Sequence, residues 1–248
     1  EALTKALEGY LVNSDVRRER RLARLGLEPT TLAIVSFAIY TVETAEESGQ
    51  PDRKAALCSW GTEAASVTHT DGGLTVYRLP AVDTAYSLIE MPRVDQWLAE
   101  HRLLLTLWDL IAEYADAIAS GRAVIATYNG TAFDVRALLW RTMRHRDPVG
   151  IWPAVRATAR LDTPRYQTRP HLDVAEVVTG WGRHHTYCKL VEALPRIGFA
   201  FEKPDGWDGS KVYPAACERR WREIEEYNLG DVVTLHDAAR ALIDGGLA

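Results

Sequence analysis

Residues 124–145 constrain the fold more than any other part of this chain. VIATY at 124–128 has the length and β-branching of a central strand, and it ends in Asn129-Gly130. Residues 131–145 directly after it carry helical spacing. A strand, a sharp turn and a helix in so short a span form one unit of an α/β protein, where sites gather at the carboxyl ends of strands. Gly130 permits a tight turn, and Phe133 can anchor in the core. Asp134 then falls on the first helical turn, where exposed N–H groups favour negative charge. Such an aspartate is ordinary as a helix-start charge. Aimed over a strand end, it is also a candidate functional carboxylate.

The rest of the chain supplies more of the same class. LAIVSFAIYTV at 32–42 reads as a buried strand, KAALCSW at 54–60 as its hairpin partner and LTVYRL at 74–79 as a weaker third strand. From Met91 to Ile118 an apolar stripe of Val94, Trp97, Leu98, Leu103, Leu104, Leu107, Trp108 and Ile111 predicts one helix, stopped by Gly121. RPHLDVAEVV at 169–178 is strand-like, TYCKLVEAL at 186–194 is helical, and 206–220 reads as a loop entering a short helix. A long closing helix covers 221–242. Residues 1–11 and 15–25 also look helical, the second with a basic run of Arg17, Arg18, Arg20, Arg21 and Arg24. Neither repeats nor low-complexity linkers divide the chain. Its 248 residues predict a single domain over 1–248.

Charge and cysteine usage exclude some classes. A formal net charge of -5 rules out a molecule that is basic overall and wraps nucleic acid by bulk attraction. It does not exclude a nuclease, because a carboxylate-lined metal site is acidic until ions bind. Cys58, Cys188 and Cys217 are too few and too scattered for a disulfide scaffold or a zinc site, which fits a cytoplasmic protein. No stretch reaches the roughly 20 apolar residues that a membrane span needs.

Tyr227 and Asp231, four residues apart on the closing helix, project from one face. A phenol beside a carboxylate can orient a water while the carboxylate binds a metal. Gly230 beside them weakens the helix, and close approach of another group is one reason to tolerate it; crowded packing is another. His171 and Asp173, with His184 and His185 in the next turn, match none of the common zinc-ligand spacings. Trp181 and Trp207 offer rings for stacking on bases or in a core. Lys211, Arg183 and Lys189 are candidate phosphate contacts or solvated surface cations.

Five ordered blocks resemble a known family: ATYNGTAFDVRALLWR at 126–141, HLDVAEVVTGWG at 171–182, TYCKLVEAL at 186–194, KPDGWDGSKVY at 203–213 and IEEYNLGDVVTLH at 224–236. They are similar to the predicted 3'-5' exonucleases related to the proofreading domain of family-B DNA polymerases. Those belong to the ribonuclease-H-like superfamily and to its four-acidic-residue exonucleases of the tyrosine subtype. The resemblance implies an α/β fold with a central mixed sheet flanked by helices, two divalent cations (Mg²⁺ or Mn²⁺), and a DNA or RNA substrate. By the same likeness Asn129, Gly130, Phe133 and Asp134 match the second motif, and Tyr227 and Asp231 match the third. Asp134 and Asp231 would then ligate metal, and Tyr227 would position the attacking water. Asn129, Phe133, His171 and Asp173 would support them.

The family's first motif, D-x-E on its first strand, has no counterpart in residues 1–29. Tyr40-Thr41-Val42-Glu43-Thr44 echoes it with Thr41 in place of the aspartate, on a strand that resembles the family's second. Two expectations follow. Either the motif lies upstream of Glu1, or the domain is a nuclease-like fold that has lost metal binding and acts as a nucleic-acid-binding or protein-interaction module.

Overall fold

The structure is a computed structural model that describes residues 36–44, 51–60, 65–70, 73–80, 93–145, 167–180, 188–200 and 207–246. The helices expected over 1–25 with their arginines, and Trp181, Arg183, His184 and His185, lie outside the described residues.

β1 (Ser36–Thr44) and β2 (Pro51–Ser59) form the expected antiparallel pair, in register from Ser36 against Ser59 to Thr44 against Pro51. β3 (Ser66–His69) was not legible in the sequence. All four of its residues, SVTH, are exposed, so it shows no alternation of apolar and polar positions. It pairs antiparallel with β4 (Leu74–Pro80), which lies parallel to β2. The order β1-β2-β4-β3 is thus a mixed sheet. β5 (Ile125–Thr127) and β6 (His171–Asp173) pair in parallel as a second sheet.

The helix expected over 91–118 is divided into α1 (Arg93–Glu113) and α2 (Ala115–Ala119). The break falls at Tyr114, whose hydroxyl lies 3.5 Å from the Thr41 hydroxyl on β1. α3 (Asp134–His145) follows β5 as predicted, and α4 (Val174–Val178) follows β6 directly. α5 (Leu190–Arg196) begins later than expected, with Lys189 at its N-cap. α6 (Gly209–Cys217) is the short helix expected within 206–220. Its start is set by Asp208, whose carboxylate accepts the Ser210 N–H at 2.8 Å. α7 (Trp221–Asp244) is the closing helix, two residues longer than predicted.

α7 is the spine that joins the two sheets, packing on β1, β2 and β5. Near its start, Trp221 and Ile224 pack with Cys58, Trp60, Ala99, Leu103, Ala215 and Ala216. One turn on, Leu229 meets Ala55, Leu57 and Val76 of the larger sheet. Toward its end, Ala239 and Leu242 pack with Leu172 and Val174 beside the smaller one. Each fully buried Leu or Ile contributes about 1.5–3 kcal/mol, so this helix is fixed along its length. A buried acid pins its first turns. Glu225 accepts the Ser59 hydroxyl at 2.8 Å and pairs with Arg78 at 3.4 Å. Burial and the Glu225 charge together push the neighbouring Cys58 thiol up to about 12. The architecture is mixed α/β with a sheet flanked by helices, consistent with a ribonuclease-H-like fold.

Candidate active site

The turn after β5 is built by hydrogen bonds rather than by apolar packing. Asn129 takes a left-handed conformation (φ 60°), which its short polar side chain tolerates better than most. Gly130 is needed for space. A Cβ there would sit 2.1 Å from Thr127 Oγ1, so no side chain fits. The sequence therefore located the critical glycine, but the unusual φ belongs to its neighbour. Thr127 is itself held, with its hydroxyl 2.7 Å from His171 Nε2. Helical bonding starts from the turn, with Phe133 N–H on the Asn129 carbonyl at 3.0 Å and Val135 N–H on that of Gly130 at 2.8 Å.

Asp173 organises this turn from the next strand. Its Oδ1 accepts the N–H of Asn129 at 2.7 Å and of Ala175 at 3.1 Å, and its Oδ2 accepts that of Thr131 at 2.9 Å. One buried carboxylate thus caps α4 and clamps the loop that delivers Asp134. Charge-assisted bonds of this kind are roughly twice as strong as neutral ones. His171, 1% exposed, and Asp173, 6% exposed, are spent on positioning the β5 turn.

Asp134 opens α3 at the carboxyl end of β5, as the sequence predicted. Its carboxyl is pushed up to about 6, chiefly by desolvation and next by the charge of Asp173, against a backbone hydrogen bond that lowers it. The residue as a whole is exposed. Phe133 is half-buried beside it.

Tyr227 and Asp231 stand one turn apart on α7. Tyr227 is buried and stacks on Trp207, with ring centroids 5.8 Å apart, and Asp231 is half-buried. Trp207 is therefore a packing ring, gripped on the other side by Arg220. α7 also lies along β1. Asn228 donates to Ser36 Oγ at 2.8 Å, and the His236 ring meets Tyr40 edge-on at 5.0 Å. The D-x-E echo at Thr41 and Glu43 thus falls on the strand that carries the Tyr227 helix. Lys189 is the N-cap of α5, and Lys211 lies in the first turn of α6 close after Asp208. Their charges help hold its carboxyl below the usual range, after its bonds to Ser210.

Three acids or other metal-binding side chains do not gather at one point among the described residues. Gly230 corrects the reading of crowded packing: among the described residues a Cβ there would meet nothing within 4 Å, and the position is exposed. Gly230→Ala is therefore expected to stabilise the protein by just under about 1 kcal/mol through helix propensity alone. A fall in melting temperature would show that the glycine is needed for another reason.

Sequence reasoning missed two buried acids, Glu225 and Glu100. Both carried a signal, since each sits at an apolar spacing: Glu225 lies four residues from Trp221 and from Leu229, and Glu100 four from Leu104.

No curated protein matches the chain. A family model does, over residues 89–236, from just before α1 to well into α7, so that Asp134, Asp173, Tyr227 and Asp231 all lie inside the match. By that match the chain belongs to the predicted 3'-5' exonucleases related to the exonuclease domain of PolB.

Proposed function

We propose that this chain hydrolyses phosphodiester bonds from the 3' end of a DNA or RNA strand, with divalent cations, and that Asp134, Tyr227 and Asp231 are its catalytic residues. The observation that carries this reading is Asp134, an acid at the carboxyl end of β5 within the family match, its charge opposed by desolvation and by Asp173. A cation relieves both terms at once. Exonucleases of this family generally use divalent metals. On this reading Asp134 and Asp231 are the acids offered to a cation, one from the start of α3 and one from α7. They fall short of the set that two ions require among the described residues.

A bound divalent ion would supply a water of lowered pKa and positive charge against the phosphate. The chain's own residues do the rest. Asp134 and Asp231 hold the ion, and the Tyr227 hydroxyl orients the attacking water. Asn129, Phe133, His171 and Asp173 keep the β5 turn in place. Lys189 and Lys211 add positive charge for the strand's backbone, alongside Arg183. A second reading, a binding module without catalysis, is favoured by one observation: the sparse set of acids gathered among the described residues.

Digestion of 5'-labelled single-stranded DNA and RNA in Mn²⁺ separates the two. A ladder shortened from the 3' end, and lost in Asp231→Asn, is the expected result. Binding of the same strands without any cleavage would overturn activity for this sequence by itself and leave the second reading, or a first motif supplied from outside it.

A further inference from the structure

We propose that the outer face of α3 is a docking track for single-stranded nucleic acid, formed by Arg136, Trp140, Met143 and Arg144. The identity of the strand rests on the exonuclease reading above; the surface itself stands on separate observations. α3 buries Val135, Ala137, Arg141, Thr142 and His145 on one side. The opposite side leaves Trp140 51% exposed and Met143 42% exposed, with Arg136 and Arg144 exposed as well. An indole half in water is unusual for so large an apolar group.

The arginines are unusual too. On α7 the exposed arginines are neutralised locally, Arg222 by Glu226 and Arg240 by Asp244, and Arg220 at its cap pairs with Glu218 and Glu223. On α3, Arg141 turns inward to Glu100, while among the described residues Arg136 and Arg144 pair with no acid, on a helix whose one acid is Asp134. In a protein of net charge -5 this face is a local exception.

Spacing suits a strand. Arg136, Trp140 and Arg144 succeed one another at four residues, or steps of about 6 Å along the axis. A flat ring between two guanidinium groups is the arrangement that stacks a base while its flanking phosphates are held. The face points away from the buried side of α3, so it would guide the strand outside the site and leave the acids free.

The test is binding of fluorescein-labelled oligo-dT by the full chain carrying Asp231→Asn, in EDTA, so that cleavage plays no part. Trp140→Ala is expected to weaken the dissociation constant about tenfold or more. Arg136→Ala with Arg144→Ala should lower the slope of log K against log salt by about 1.4, the value for two lost single-strand phosphate contacts. Melting temperatures should stay near that of the parent, because all three side chains are at the surface. Unchanged affinity and slope in both variants would overturn the track, even if the parent digests nucleic acid. Concentration-dependent self-association that is lost in Trp140→Ala, without an effect on oligo-dT, would overturn it in favour of a second copy of the chain.

Discussion

Replacing Asp134 by Asn is expected to move activity and stability in opposite directions. Cleavage should fall about a thousandfold or more, because a metal ligand contributes several kcal/mol of transition-state charge stabilisation. Stability at pH 8 should rise, because a neutral amide escapes the desolvation and the repulsion from Asp173 that push this carboxyl up to about 6. The folded protein holds its proton more tightly than the unfolded chain, whose aspartate titrates near 3.9. Between about pH 4 and 6 the folded state therefore binds more protons, and stability falls as pH rises through that window. The advantage of Asp134→Asn should be absent below about pH 4 and complete above about 6. Solvent screening at an exposed residue limits it to no more than about 1 kcal/mol, or about 2–4 °C in melting temperature. An aspartate that served only as a helix-start charge would behave oppositely, its loss destabilising α3 by about 0.3–1 kcal/mol at neutral pH. Thermal melts of both proteins at pH 3.5 and pH 8 decide between them.

Legibility in the sequence followed how local each signal was. The β5–turn–α3 unit was readable because strand, turn and helix lie within some twenty consecutive residues, each with its own pattern. The phase of Tyr227 and Asp231 was readable for the same reason, since one helix fixes both. The part played by Asp173 was not. A carboxylate collecting three backbone N–H groups, two of them from a turn more than forty residues earlier, leaves no trace in local spacing. β3 escaped because an exposed edge strand carries no hydrophobic pattern. The reading of Gly230 went astray on a different point: a glycine states what the backbone tolerates, and only the surroundings say whether a neighbour requires it. Likewise the Arg-rich residues 136–146 carry no local mark of which arginines face solvent. The structure divides those it describes, burying Arg141 against Glu100 and leaving Arg136 and Arg144 in solvent.

That division sets up a large expected effect on stability. Glu100, 1% exposed, accepts Arg141 Nε at 2.6 Å on one oxygen, while a second guanidinium N–H and His145 Nε2, the latter at 3.0 Å, engage the other. Trp97 covers the cluster, stacked on His101 and tilted against His145. Glu100→Ala would leave a guanidinium buried without its carboxylate and a void where the side chain was. The expected loss is about 3–5 kcal/mol, a large part of the roughly 5–15 kcal/mol that holds a domain folded, and it should lower the melting temperature on the order of 10 °C. The charges themselves need not be stabilising. Glu100→Leu combined with Arg141→Met removes both at similar volume and should recover most of the loss that either single change causes, since well-packed apolar replacements of buried pairs are often neutral. A double-mutant cycle by chemical denaturation measures this coupling. Additive losses would mean that the two side chains act independently, and a cost under about 1 kcal/mol for Glu100→Ala would mean that the site is wetter than its burial implies. The cluster ties the far end of α3 to α1, and α3 begins at Asp134, so the same variants test whether the site depends on an anchor at the other end of its helix. If it does, Glu100→Ala should raise the Mn²⁺ concentration needed for cleavage at temperatures well below its melting point, and the Leu/Met pair should restore it.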